Sequence, residues 1–194
     1  MKTAVIIHGW GGNPELGWFV WLAEELKKKG YRVIKPKMPN PEEPEIGAWL
    51  KKISSLVKTA DNETIFIGHS IGCQAVLRFL EKSNFKKVGG VVLVAGWMNL
   101  KEFAYTEDPE SEKKMRRIAK PWITKKINFK KIKTKTDNVV CIFSDNDPFV
   151  DLNNSKMFRK ELGAKIIIEH NKGHFEEGKT KKIQVLLKGM MTTK

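Results

Sequence analysis

Residues 63–82, ETIFIGHSIGCQAVLRFLEK, decide how this chain is read. Thr64–Ile67 is a short run of β-branched and aromatic residues, the composition of a buried strand. From Ile71 to about Ser83 the apolar residues fall at helical spacing. Between the two lies Gly68-His69-Ser70-Ile71-Gly72, a G-x-S-x-G turn. Strand, tight turn and helix in that order are what a nucleophile elbow requires. The glycines have a steric reason, since side chains at either flank of so sharp a turn would collide with neighbouring backbone. Ser70 is then a candidate nucleophile at the carboxyl end of a central strand. The competing reading is Ser70 as an ordinary helix N-cap.

Outward from this stretch, short β-branched runs alternate with amphipathic ones, which predicts an α/β fold with a parallel sheet. Strands are expected near Thr3–Ile7, Tyr31–Lys35, Thr64–Ile67, Val88–Ala95, Val139–Phe143 and Lys165–Ile168. Helices are expected over Trp18–Lys29, with Gly30 closing it, and over about Glu45–Thr59, Ile71–Ser83, Asn153–Leu162 and Thr180–Lys188. No polar linker or repeat divides the 194 residues, so one domain is expected. The span 97–136 breaks the alternation, and a connection of that length is read as a partly helical cap over the carboxyl edge of the sheet.

Composition removes several classes. Hydrophobic residues make up 41% of the chain, far from the signature of disorder. No apolar run approaches the roughly 20 residues of a membrane-spanning helix, and the N-terminal MKTAVIIHGWGG reads as a buried strand rather than a leader. A cytoplasmic protein is expected. Cys73 and Cys141 each lie in an apolar run, too few for a disulfide framework and without metal-site spacing. The net charge is +14, yet 31 of the 36 basic residues are Lys, so no specific nucleic-acid recognition is expected. Eleven positives and no acid fall between Lys113 and Lys135. They read either as a solvated face or as a docking surface for an anionic partner.

A serine hydroxyl needs a base within reach. His8 lies in the Gly-rich loop HGWGG and His69 inside the elbow, where its side chain turns away from the hydroxyl. The elbow architecture puts the base after the last strand, which selects His174 in NKGHF, with His170 as the alternative. The orienting carboxylate should end an earlier strand. SDNDPFV offers Asp145 and Asp147; Asp147 is preferred because Asp-Pro-Phe-Val reads as a turn re-entering beside the histidine loop, whereas Asp145 closes the turn. Oxyanion donors are expected from the Ile71 N–H and, in the HGWGG loop, from the Trp10 N–H. Trp97 and Met98 are candidate pocket residues. Neither G-x-G-x-x-G nor a P-loop Lys-Ser/Thr is present, which argues against a nucleotide.

HGWGG, GHSIG, SDNDPFV and GHF in this order resemble an α/β-hydrolase. The short chain and the D-x-D-P turn are similar to one small group, the YdeN-like serine hydrolases that include retinoblastoma-binding protein nine. The resemblance covers essentially the whole chain. It implies a three-layer α/β-hydrolase fold with strand order 2-1-3-4-5-6 and the triad Ser70, Asp147 and His174. Such a site is expected to hydrolyse carboxylic esters or related small acyl compounds through an acyl-enzyme, with no metal or organic cofactor; the alternative is a catalytically idle hydrolase scaffold that binds an anionic partner through its basic cap. The chain lacks a Leu-x-Cys-x-Glu stretch, so a retinoblastoma-type partner is not implied, and the basic span is not a feature the family leads one to expect.

Overall fold

The computed structural model describes residues 1–101 and 108–175. The expected helix Thr180–Lys188 and residues 102–107 of the cap span lie outside the described residues. Six strands, β1 (Thr3–Ile7), β2 (Arg32–Ile34), β3 (Thr64–His69), β4 (Gly90–Val94), β5 (Val139–Ser144) and β6 (Lys165–Glu169), form one sheet. Its order is β2-β1-β3-β4-β5-β6 and every neighbouring pair is parallel. The helices are α1 (Trp18–Lys28), α2 (Ile46–Leu56), α3 (Ile71–Lys82), α4 (Pro109–Thr124), α5 (Phe129–Lys133) and α6 (Asn153–Leu162).

Side-chain alternation along the strands builds two cores. Val5, Ile7, Phe66, Val91, Leu93, Cys141 and Phe143 face α2, α3 and α6. Ala4, Ile6, Ile67, Val92, Val94, Val140 and Ile142 face Trp18, Phe19, Leu22 and Leu26 of α1. Helices therefore cover both faces of a three-layer α/β-hydrolase-type arrangement. Burial pushes both thiols, Cys73 and Cys141, upward, which keeps them protonated core residues.

Several boundaries shift. β2, at one edge of the sheet, is three residues long, shorter than expected. β3 runs two residues further than expected and delivers its chain directly into the elbow. α1 ends as its sequence predicts: Gly30 at φ +80° lets the Gly30 and Tyr31 amides return to the Lys27 and Leu26 carbonyls.

Between β4 and β5, α4 starts at Asp108, whose carboxylate accepts the Glu110 and Ser111 N–H groups. It ends on a buried arginine of the elbow helix. Arg78 Nη2 donates to the Trp122 and Lys125 carbonyls at 2.9 and 2.6 Å, using acceptors that a helix C-terminus leaves unpaired. This ties α4 to α3. Several of the eleven cations in the basic run have acidic or carbonyl partners. Lys113, Lys114, Arg116 and Arg117 pair with Glu110, Glu43, Glu112 and Glu43 respectively. Lys135 is buried, with Nζ donating to the Ser83 and Phe85 carbonyls. Three of the eleven, Lys114, Arg117 and Lys135, tie the span to the rest of the chain.

Candidate active site

Ser70 occupies the N-cap position of α3, but its side chain caps nothing. Its backbone sits at φ 53°, ψ −123°, a sparsely populated region that a non-glycine residue enters only when its surroundings force it. The forcing comes from close packing. A Cβ on Gly72 would lie 2.5 Å from the carbonyl oxygens of Ile7 and His8, and one on Gly68 would lie 2.7 Å from Cys73 Cα. The Ser70 N–H donates to the Val94 carbonyl at 2.9 Å, so the turn is stitched to the end of β4. The simple N-cap reading is thereby replaced by a strained elbow whose hydroxyl caps no helix N–H.

The loop after β5 grips the loop after β6 almost residue for residue. Asp145 Oδ1 and Oδ2 meet the Asn171 N–H and His170 Nδ1. Ser144 Oγ accepts the Lys172 N–H, and Asn146 Oδ1 accepts the Gly173 N–H. Asp147 Oδ2 lies 2.8 Å from His174 Nδ1, while its Oδ1 accepts the Phe149 and Val150 N–H groups. A carboxylate only accepts, so the proton of the His174–Asp147 bond belongs to Nδ1. His174 Nε2 is left with its lone pair available. Both residues are buried.

Two further histidines hold this geometry rather than take part in it. His69 is sealed among Trp18, Phe19 and the His174 ring. Burial, helped by the neighbouring His174, pushes its imidazole down to about 3. It is therefore neutral and donates Nε2–H to the His174 carbonyl at 2.8 Å. Trp18 Nε1 donates to the next carbonyl, Phe175. His8 is buried as well, and desolvation lowers its pKa. Its Nε2 accepts the Met38 N–H and its Nδ1 donates to the Gly9 carbonyl, which anchors the HGWGG loop. The loop is pinned again by the Gly11 N–H to Pro41 and by Trp10 Nε1 to Glu42. Gly9 lies so close to the elbow that a Cβ there would be 3.2 Å from Ser70 Cβ.

Ser70 and His174 line one cavity of about 450 Å³, together with Trp10, Trp97, Met115, Ile118 and Phe149 among others. No direct hydrogen bond joins their side chains, as is common before substrate tightens a catalytic contact. Four of the lining residues, Ser111, Lys114, Met115 and Ile118, share one face of α4. Trp97 lies where the sequence suggested, but Met98 does not line the cavity. Its N–H is held by Asn154 Oδ1 and it packs against the main core, because the chain has already turned toward α6. Sequence reasoning missed the roles of His8, His69 and Asn146, which depend on partners 30, 105 and 27 positions away. Among the described residues, no group of three or more His, Cys, Asp or Glu is placed to hold a metal ion, and no helix is long and apolar enough to cross a membrane.

Comparison with known proteins gives the family and the fold. Residues 4–182 match the family model described as serine hydrolase. The chain is 29% identical over 177 residues to hydrolase YdeN of Bacillus subtilis (strain 168), covering 91% of this chain and 87% of that one. It is 28% identical to serine hydrolase RBBP9 of Rattus norvegicus, covering 97% and 95%. The crystal structure of the B. subtilis ydeN product superposes with a TM-score of 0.85 at 25% identity, over the full length of both chains. Est1E of Butyrivibrio proteoclasticus, solved with ferulic acid bound, shares the fold with a TM-score of 0.70 at 17% identity, covering 98% of this chain and 86% of that one.

Proposed function

The chain belongs to the serine hydrolase family, and from that membership we propose that it cleaves carboxylic esters of small, largely apolar acyl groups through a Ser70–His174–Asp147 triad. The observation that carries this reading is the buried Asp147–His174 pair beside a strained, uncapped Ser70 on one cavity. Ser70 Oγ attacks the ester carbonyl carbon while His174 Nε2 takes its proton. The developing oxyanion is received by the Ile71 and Trp10 N–H groups, one at the start of α3 and one on the loop that His8 and Gly9 press against the elbow. Losing one such donor typically costs about 2.7–4 kcal/mol of transition-state stabilisation. His174 then protonates the departing alcohol, and water, activated by the same imidazole, releases the acid.

Within the expected cap span, α4 covers the cavity in this reading, its face supplying Met115 and Ile118 to the acyl wall. The chemistry needs no metal or cofactor, because nucleophile, base and electrophilic stabilisation are all protein groups. A fluorophosphonate probe should label the wild type and leave Ser70→Ala unlabelled, and p-nitrophenyl esters of graded acyl length should show a preference that falls once the chain outgrows the cavity. Equal labelling of both proteins would overturn the assignment.

A further inference from the structure

Four tryptophans of this chain spend their indole N–H in the same way, on a backbone carbonyl at 2.9–3.1 Å. Trp10 donates to Glu42, Trp18 to Phe175, Trp49 to Pro39 and Trp122 to Pro44. Trp97 differs. Its Nε1–H donates to a side chain, and that side chain is Ser70, with 3.3 Å between Nε1 and Oγ. Trp97 is 1% exposed, so its N–H has no access to bulk water. A buried indole N–H requires an acceptor.

The chain bends to deliver this contact. Ala95, directly after β4, sits at φ 47°, a left-handed conformation that is costly for alanine. Gly96 follows it so closely against α3 that a Cβ would lie 3.3 Å from Cys73 Sγ. The end of β4 thus holds Ser70 twice, by the Val94 carbonyl on its backbone N–H and by the Trp97 indole on its hydroxyl.

We propose that Trp97 is a further catalytic residue, whose indole N–H fixes the Ser70 hydroxyl in its attacking rotamer. This rests on Ser70 being the nucleophile. A serine oxygen has one proton and two lone pairs. Once substrate tightens the Ser70–His174 contact, the proton is directed to His174 Nε2; with Cβ behind the oxygen and one lone pair taken by Trp97, a single lone pair is left, and that pair attacks the carbonyl carbon. The indole also stabilises the negative charge that builds on Oγ as its proton departs. It costs the oxygen little basicity, because the donor is neutral and the contact is long. A hydroxyl held this way does not wander among staggered rotamers before each encounter.

The test is Trp97→Phe, which keeps an aromatic wall and deletes the donor. The second-order rate of labelling by a short-chain fluorophosphonate, and the acylation burst with p-nitrophenyl acetate, should each fall about three- to tenfold, the size of one neutral hydrogen bond. The fall should be equal for short and long acyl chains and should appear in kcat. A labelling rate within twofold of wild type, or a loss confined to KM that grows with acyl length, would reduce Trp97 to a wall of the pocket. If the Phe variant does not fold, Ser70→Ala decides by NMR. One of the six indole N–H signals should shift and exchange faster in that variant; six unmoved signals overturn the proposal. Labelling of Ser70→Ala at the wild-type rate would instead remove the nucleophile assignment itself.

Discussion

Two Asp–His pairs stand side by side on the same two loops, and the proposed triad uses only one of them. Asp145 meets His170 at 2.6 Å and Asp147 meets His174 at 2.8 Å, so distance does not distinguish them. Surroundings do. The His170 and Asp145 side chains are 81% and 35% exposed, whereas those of His174 and Asp147 are 8% and 2% exposed. The His174 ring is wedged between Phe149 and His69 on the cavity wall, and the His69 imidazole holds its carbonyl. In water a pair like Asp145–His170 contributes little beyond closing a loop. Sealed from water on the cavity that Ser70 also lines, such a pair would, in the proposed triad, hold one tautomer of the imidazole ready to accept a proton.

The largest expected effect breaks the comparison by one identical change at both sites. In each pair Oδ1 already accepts backbone N–H groups, from Phe149 and Val150 at Asp147 and from Asn171 at Asp145. An asparagine there keeps its oxygen on those donors and turns its NH₂ toward the imidazole. In Asp147→Asn this forces His174 to carry its proton on Nε2, the wrong tautomer for a base, and kcat should fall by as much as about 10⁴-fold. Asp145→Asn flips a histidine that touches no substrate, so ester turnover should stay within about threefold of wild type. Turnover assays on the two variants check this. If Asp145→Asn is the inactive protein, the acid has been assigned to the wrong loop position.

The comparison also explains which parts of the molecule were legible in the sequence. The elbow was, because its glycines and flanking runs are local. The chain order Ser70, Asp147, His174 was, because strand ends in a parallel sheet all deliver their loops to one edge. The preference for Asp147 over Asp145 came from the Pro148 turn, a local signal as well. What stayed hidden depends on distant partners. Nothing near Trp97 says that its indole will reach back 27 positions to Ser70. Nothing near Lys114 and Arg117 says that Glu43, more than 70 positions earlier, will pair with both. The same holds for Lys135, a charge in the sequence and a buried clamp in the fold.

Acid sharpens the comparison from the buried side. His69 has its pKa pushed down to about 3 by burial, and burial lowers that of His8 too. The unfolded chain protonates these rings near the ordinary value of about 6.5. Between those limits the unfolded state binds more protons, so stability is complete above about pH 6.5 and declines as pH falls. His69 should contribute a slope of roughly 1–1.5 kcal/mol per pH unit in that window, and His8 acts in the same direction. His69→Gln, which retains a side-chain N–H, should be less stable at pH 8 but show a shallower decline toward pH 4. Urea unfolding across this range measures both slopes, and parallel curves would mean that His69 is not held neutral.

The smallest expected effect comes from the exposed side. Hydrogen bonding from the Asn171 N–H, and then from His170, lowers the Asp145 pKa. A carboxyl whose folded pKa is depressed stabilises the fold above its unfolded value, and that contribution disappears as pH drops through the folded one. For Asp145 the window therefore lies below about pH 4, the ordinary carboxylate value. At pH 7 Asp145→Asn should lower Tm by only about 1–3 °C, since an exposed pair is screened and the asparagine oxygen still accepts from Asn171. The gap should shrink in 0.5 M salt and close only once the pH has fallen through the depressed folded pKa, where wild type has lost the same charge. Thermal unfolding at those conditions distinguishes two causes. A gap that survives acid and salt unchanged would mean that Asp145 holds the histidine loop by shape, and the contrast between the two pairs would then rest on burial alone and not on charge.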